Sequence, residues 1–180
     1  AENMLSGDAI RPGDIITSYS GKTIEIGNTD AEGRLIMADA LAYAIDTFKP
    51  DAILDMATLT GACIIALGEK LAGIFTPNEE LEEALLAASR HTHERCWPMP
   101  LPEDYKELLK SDLADTSNMS STRYGGAITA ALFLQQFVGE TPWAHIDIAG
   151  PASSKKEGAY CGPGGTGFGV RLLTDFIMNL

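Results

Sequence analysis

The chain has 180 residues, of which 45% are hydrophobic and 21% are charged, a composition that suits one globular domain with a sizeable core. Its 13 lysines and arginines against 25 aspartates and glutamates give a formal net charge of -12, which argues against binding to nucleic acid or to an anionic membrane surface. No apolar stretch reaches the ~18 residues that a transmembrane helix needs, and the first residues lack the pattern of a signal peptide. The three cysteines include no C-x-x-C pair, so free thiols in a reducing cytosol are expected rather than a disulfide framework or a zinc knuckle.

Predicted strands and helices alternate along the chain. They are, in order, strands at 15–18 and 23–26 joined by a turn at 20–22, a helix at 35–48 that ends at 49–50, a strand at 52–58, a helix from Gly61, an amphipathic helix at 79–95 capped by Asn78, a short helix at 105–110, a helix at 127–138, a strand at 143–149, a glycine-rich loop at 150–169 and a helix at 170–179. This alternation predicts an α/β layered sheet, and no linker is long enough to divide two domains.

Three segments carry further predictions. The helix at 35–48 is apolar on nearly all sides, which predicts a buried helix rather than a surface one. The strand at 52–58 is a continuous apolar run broken by Asp55, as expected of a central strand. Pro98, Pro100 and Pro102 predict a stiff connector.

The segment most informative about chemistry has two carboxylates and an arginine just before a helix with almost no charge. Asp30 and Glu32 stand two residues apart, a spacing that directs both side chains to one side of an extended segment. A divalent cation would offset the cost of burying such charges, since carboxylate oxygens are ligands for these ions. Gly33 would let the backbone approach a ligand closely. The alternative, which the spacing alone favours, is that acidic residues near a helix N-terminus interact with the helix dipole.

The octapeptide Asn28-Thr-Asp-Ala-Glu-Gly-Arg-Leu35 resembles the signature of the leucyl aminopeptidase family, the cytosolic dimetal exopeptidases. Further blocks resemble the same family in the same order, at residues 2–7, 11–14, 57–63, 143–150 and 165–172. By this resemblance, residues 1–180 are the C-terminal portion of a metalloaminopeptidase catalytic domain. The implied fold is a layered α/β/α arrangement with a central mixed sheet, incomplete relative to the family's domain.

The resemblance implies a role for each residue of the acidic segment. Asp30 is expected to ligate one of two divalent metal ions, and Glu32 to bridge both. Arg34 is expected to hold a bicarbonate ion that acts as the general base, because a guanidinium stays protonated and serves as an anion clamp. Zinc or manganese would occupy the sites, with magnesium or cobalt as alternatives. Together the two cations would lower the pKa of a shared water and polarise the scissile carbonyl.

The resemblance also implies a substrate-binding set. The main chain of Thr58 and Leu59 and the N–H of Gly61 are expected to hold the substrate main chain, and Ala149 and Ala152 to line the pocket for the N-terminal side chain. Two small residues predict an apolar, moderately roomy pocket that accepts leucine and other apolar residues. The implied function is hydrolysis of N-terminal residues from peptides, by a cytoplasmic homo-oligomer that is a hexamer in its full-length form.

This chain departs from the family's pattern in one large respect. The upstream block that supplies a lysine ligand, two more aspartates and a second catalytic lysine does not occur here, nor does the N-terminal domain. The chain also lacks an initiator methionine, which indicates a processed product or a fragment. We therefore expect the isolated chain to be inactive, to hold no dimetal pair, and to expose a sheet edge that favours self-association.

Several weaker signals receive ordinary structural interpretations. His91 and His93 diverge on a helix and are expected at the surface, whereas His145 is expected to be a hydrogen-bonded core residue. Asn118 begins an Asn-x-Ser sequon, to which no secretion signal gives relevance. An alternative function stays open: a non-catalytic relative or fragment that serves as an oligomerisation or scaffold module.

Overall fold

The computed structural model describes residues 6–158 and 160–180. The chain divides into two compact units, the first formed by residues 1–53 with 102–141 and the second by residues 54–101 with 142–180. Most of the block at residues 2–7 lies outside the described residues. No helix in the described ranges has the length and apolarity to cross a bilayer.

The first unit contains a three-stranded sheet and two α-helices. Its strands are β1 (Ile15–Thr17), β2 (Thr23–Glu25) and β6 (Thr116–Ser117), with β2 antiparallel to β1 and parallel to β6. Its helices are 3-10 turns at Thr29–Ala31 and Glu103–Leu109, α1 (Glu32–Phe48) and α4 (Gly126–Gln135). The predicted hairpin is confirmed, and Gly21 has the positive φ of 88° that its turn requires. Helix α1 ends at Lys49, as predicted, in the left-handed conformation.

The prediction that helix α1 is buried on all sides is wrong. One face, with Leu35, Ala38 and Leu41, is buried within the first unit, whereas Tyr43 and Phe48 are exposed on another face. The rings of Tyr43 and Phe48 meet edge to face, with 6.4 Å between centroids. The prediction was wrong because the number of apolar residues in a helix does not show which of them pack against other elements.

The second unit contains a four-stranded mixed sheet. Its strands are β3 (Ile53–Ala57), β4 (Ala72–Phe75), β5 (Cys96–Pro98) and β7 (Trp143–Asp147), in the spatial order β3-β7-β4-β5, and its helices are α2 (Gly61–Leu67), α3 (Glu79–Thr92) and α5 (Val170–Met178). Strand β4 runs antiparallel to β7 and parallel to β5. The glycine-rich loop contains a short hairpin of β8 (Ser153–Ser154) and β9 (Gly164–Gly165). The predicted α/β fold with mixed sheets is confirmed.

The strand order corrects one sequence prediction and adds a strand that was not predicted. Strand β3, predicted to be central, lies at one edge of the four-stranded sheet and is only half-buried. Strand β4, which no pattern predicted, is fully buried in the interior of the sheet. Its Ala-Gly-Ile-Phe sequence has no alternation of polar and apolar residues, and Gly73 lowers strand propensity. Pro98 belongs to edge strand β5, where the missing N–H costs little.

Candidate functional site

The acidic segment begins with a side-chain cap. The Asn28 side-chain oxygen accepts a hydrogen bond from the Asp30 main-chain N–H at 3.0 Å, which stabilises the 3-10 turn at Thr29–Ala31 and leads directly into α1 at Glu32. The expectation of an extended segment is therefore wrong, because the cap initiates a helical turn. Residues two apart in a helix point in different directions, so strand geometry does not bring the Asp30 and Glu32 side chains to one side.

The two carboxylates provide only part of a metal-binding set. Asp30 is exposed and Glu32 is half-buried. Within residues 6–158 and 160–180, no group of three or more histidine, cysteine, aspartate or glutamate side chains is arranged to hold a metal ion. Hard divalent ions require about six oxygen or nitrogen donors, so these residues by themselves do not fit a dimetal centre.

Arg34 lies in the first turn of α1 and is buried. Its Nη1 atom donates a hydrogen bond to the main-chain oxygen of Asn118 at 2.9 Å. A planar guanidinium that donates to a fixed main-chain oxygen is suited to present its charge in a fixed direction. The predicted role of Arg34 as a bicarbonate clamp stays a prediction.

Asn118, which sequence reasoning treated only as a sequon, organises this whole segment. Its side chain is 0% exposed, and its oxygen accepts hydrogen bonds from the main-chain N–H groups of Gly27 at 2.8 Å and Asn28 at 3.3 Å. Its Nδ2 atom donates to the main-chain oxygens of Asn28 at 2.8 Å and Ala31 at 3.5 Å. The parallel pairing of β2 with β6 brings Asn118 to this position. No sequence signal marks the role, because the partners lie about 90 residues away along the chain.

In the second unit, the predicted substrate-binding residues Thr58, Leu59 and Gly61 form the connection between β3 and α2. Thr58 and Gly61 are exposed and Leu59 is half-buried. Between them, the Thr60 hydroxyl accepts a hydrogen bond from the main-chain N–H of Cys63 at 3.0 Å, so Thr60 caps the helix that Gly61 begins. The predicted turn into a helix at this point is confirmed.

Asp147 connects this loop to the other predicted substrate-binding segment. It is the last residue of β7 and only 1% exposed. One carboxylate oxygen, Oδ1, accepts hydrogen bonds from the main-chain N–H groups of Leu59 at 3.2 Å and Ala149 at 3.1 Å. The other, Oδ2, accepts from the Thr60 hydroxyl at 2.7 Å. Sequence reasoning missed Asp147, although a charged residue that ends a fully buried strand was an available signal.

The segment at residues 148–152 is fixed by one main-chain hydrogen bond to β3 and by one within the segment itself. The main-chain N–H of Ile148 donates to the oxygen of Ala57 at 2.8 Å, and the N–H of Ala152 donates to the oxygen of Ile148 at 3.0 Å. Between them, a Cβ atom on Gly150 would lie 2.4 Å from the main-chain oxygen of Gly68, so only glycine fits there. Ala149 and Ala152 remain half-buried.

The histidine predictions are confirmed. His145 is buried, and its Nδ1 atom hydrogen-bonds with the carboxylate of Asp55, which also accepts a 2.7 Å hydrogen bond from the Trp143 indole N–H. Asp55 therefore interrupts the apolar run of β3 to satisfy two polar groups of the neighbouring strand. His91 and His93 are exposed.

Comparison with known proteins identifies the family. Residues 1–174 match the catalytic domain of the cytosol aminopeptidase family. A probable cytosol aminopeptidase of Trichormus variabilis is 57% identical over 178 residues, which are 99% of this chain and 36% of the relative. One of Nostoc punctiforme is 56% identical over 180 residues, with 100% of this chain and 36% of the relative covered.

A solved structure extends the similarity to the fold. A tomato leucine aminopeptidase mutant superposes with a TM-score of 0.94 at 47% identity, over 99% of this chain and 34% of the tomato chain. The chain thus spans about a third of the length of the relatives it matches. Because residues 1–174 of the 180 match this family's catalytic domain and the fold matches that of a leucine aminopeptidase, the chain belongs to the cytosol aminopeptidase family.

Proposed function

We propose that the whole protein is an aminopeptidase that removes residues one at a time from peptide N-termini, and that this chain supplies part of its catalytic domain. The observation that carries the proposal is the catalytic-domain match over residues 1–174. The capped acidic segment and the two loops joined by Asp147 support it, because main-chain groups in fixed positions are suited to binding a peptide main chain.

Metal binding is proposed for the whole protein and not for these residues alone. Asp30 would ligate one of two divalent ions and Glu32 would bridge both, while ligands outside this chain complete the set. Zinc or manganese are the proposed ions, with magnesium or cobalt as alternatives. Arg34, fixed by its hydrogen bond to Asn118, would hold a bicarbonate ion through its positive charge. A two-metal mechanism is thus a property we assign to the complete enzyme.

Substrate binding is proposed for the second unit. The main chain of Thr58 and Leu59 and the N–H of Gly61 would hold the substrate main chain, and Ala149 and Ala152 would line the pocket for the N-terminal side chain. Because both alanines are small and uncharged, leucine and other apolar residues should be accepted broadly, with differences of about 1–3 kcal/mol per methylene. The complete enzyme is further proposed to act in the cytoplasm as a homo-oligomer, a hexamer in its full-length form.

An amidase assay on the full-length protein tests the proposal. Leucine amide should be hydrolysed in the presence of Mn²⁺ or Zn²⁺, and aspartic acid amide with a lower kcat/KM. N-acetyl-leucine amide, which has no free amine, should not be hydrolysed. Chelation should abolish activity, and added metal should restore it. A metal-loaded, folded protein that hydrolyses none of these amides would instead support the scaffold alternative.

A further inference from the structure

We infer that Asp147 is a positioning residue of the proposed aminopeptidase, whose buried carboxylate sets the geometry of the main chain that receives the substrate peptide. The inference rests on the proposed function, because it takes from there the roles of Leu59 and Ala149. The hydrogen bonds that Asp147 accepts come from the protein itself, so it acts through its neighbours and not on the reacting atoms.

Two loops that are distant in sequence converge on one oxygen atom of Asp147. Oδ1 accepts the Leu59 N–H at 3.2 Å and the Ala149 N–H at 3.1 Å. Leu59 and Asp147 are 88 residues apart along the chain. Because both N–H groups bond to the same atom, this carboxylate fixes the distance between the predicted main-chain site and the predicted side-chain pocket.

The second oxygen extends this control to the next helix. Oδ2 accepts the Thr60 hydroxyl at 2.7 Å, and the same hydroxyl accepts the N–H of Cys63 at 3.0 Å in α2. The loop is therefore fixed at Leu59 and at the start of α2 by one side chain. Among the described residues, the three groups that bond to the Asp147 carboxylate are all donors, and a carboxylate is an acceptor of high capacity.

A buried carboxylate can instead serve only the stability of a fold, and the second unit contains such a case. Glu94 is 3% exposed, and its Oε2 atom accepts the N–H groups of Gly169 at 3.0 Å and Leu172 at 2.8 Å. These bonds cap the N-terminus of α5 and involve none of the predicted substrate-binding residues. Glu94 is therefore the matched control for Asp147, since both are buried acceptors of main-chain N–H groups.

The experiment measures kcat, KM and metal content of the full-length protein and its variants, with leucine amide and with the tripeptide Leu-Gly-Gly. Asp147→Leu should raise the KM for the tripeptide about 10-fold or more, since two main-chain N–H groups lose their acceptor. The KM for leucine amide, which offers less main chain, should rise less, and the metal content should not change. Glu94→Ala should lower the Tm and leave both KM values unchanged.

The conservative substitution Asp147→Asn should preserve tripeptide binding. An asparagine oxygen still accepts both N–H groups, and its Nδ2 can donate to the Thr60 hydroxyl oxygen. The tripeptide KM of this variant should therefore stay within about 3-fold of the wild-type value. If Asp147→Leu lowers kcat equally for both substrates and leaves KM unchanged, as a smaller active fraction would, the positioning role is overturned.

A further pair keeps the test decisive if Asp147→Leu does not fold. Thr60→Val removes the donor to Oδ2 and should raise the tripeptide KM several-fold, whereas Thr60→Ser should restore it. An unchanged KM in Thr60→Val would overturn the inference. If the wild-type protein hydrolyses neither substrate, both the proposed function and this inference are contradicted. An active wild type with unaltered KM values in all variants would remove this inference alone.

Discussion

Each unit contains a buried polar side chain that organises a segment with a proposed function, and the two side chains differ in chemistry. In the first unit, Asn118 both accepts hydrogen bonds, from the N–H groups of Gly27 and Asn28, and donates them, to the oxygens of Asn28 and Ala31. In the second unit, Asp147 only accepts hydrogen bonds with its side chain. Each side chain offers the hydrogen-bond donors or acceptors that the groups around it require.

This difference predicts that Asn118→Asp and Asp147→Asn have unequal effects, although each substitution only replaces an amide by a carboxylate or the reverse. An aspartate at 118 would have no donor for the oxygens of Asn28 and Ala31, and carbonyl oxygens cannot themselves donate. An asparagine at 147 would meet N–H groups with its oxygen and the Thr60 hydroxyl with its nitrogen, and a hydroxyl can accept. An amide is therefore required where the loop presents both kinds of group, whereas a carboxylate can be replaced where the loop presents donors and one hydroxyl.

The largest effect is expected for a carboxylate in the acidic segment, whose main chain bonds to Asn118. Glu32→Ala in the full-length protein should lower kcat/KM by about 1,000-fold or more and lower the bound metal together with it, because metal ions contribute several kcal/mol to such reactions. Metal content by mass spectrometry and leucine amide hydrolysis are the two measurements. Glu80→Ala, which changes an exposed glutamate of α3, is the control and should change neither. Full metal content in Glu32→Ala would contradict the assignment of metal binding to this segment.

The asymmetry itself is tested by the pair Asn118→Asp and Asp147→Asn. Asn118→Asp should lower the free energy of unfolding by about 2–4 kcal/mol, because two carbonyl oxygens lose their donor. Its metal affinity or activity should fall by about 10- to 100-fold, as is usual for residues that orient a metal-binding segment. Denaturant unfolding of both variants measures the first quantity. An equal loss of stability in the two variants would contradict the inferred difference between Asn118 and Asp147.

A smaller effect, confined to stability, is expected where a buried carboxylate serves a helix and not the proposed site. Glu94→Ala should lower the free energy of unfolding by about 2–3 kcal/mol, since the N–H groups of Gly169 and Leu172 lose their acceptor at the start of α5. Glu94→Gln, which keeps an acceptor, should lose less. Thermal unfolding and the KM for Leu-Gly-Gly are measured side by side. A KM that rises in Glu94→Ala would show that substrate binding depends on this part of the unit as well.

The smallest effect concerns the charge of Asp147. Burial raises the pKa of the Cys63 thiol to about 11, and the negative charge of Asp147 adds to the rise. Asp147→Asn removes that charge, so the Cys63 pKa should fall but stay above the ordinary cysteine value, because burial remains. The pH dependence of alkylation at Cys63, followed by peptide mass spectrometry, measures the change. Cys96, whose pKa burial raises to about 12, is the control. A parallel change at Cys96 would indicate general loosening of the unit instead.

Local chemistry explains which predictions the structure confirmed. Asn78 caps α3 through a 2.9 Å hydrogen bond from the N–H of Leu81, as its position before an amphipathic run indicated. The β1–β2 hairpin follows from its turn residues, and α2 starts at Gly61, after its cap Thr60. In each case the residues that decide the structure lie within a few positions of each other.

Predictions failed where the structure depends on residues that are distant in sequence. Strand β3 was predicted to be central, but its place at the edge of the sheet depends on which strands pair with it. Strand β4 went unpredicted because Gly73 lowers strand propensity. Its tertiary neighbours explain the glycine, since an added Cβ would lie 3.1 Å from the Cys63 sulfur and from the Phe75 ring. The exposed face of α1 shows the same limit, since periodicity describes a helix and not what packs against it.

The sequence by itself determined the family, the α/β class and the segments that carry the proposed chemistry, because signature residues and caps are contiguous. Only the tertiary structure decided what holds those segments in place. Asn118 reaches Gly27 across 91 positions, and Asp147 reaches Leu59 across 88. The pairing of β6 with β2 and the position of β7 beside β3 bring these side chains to their partners. A hydrogen bond between residues so far apart is specified by strand order, which no local pattern encodes.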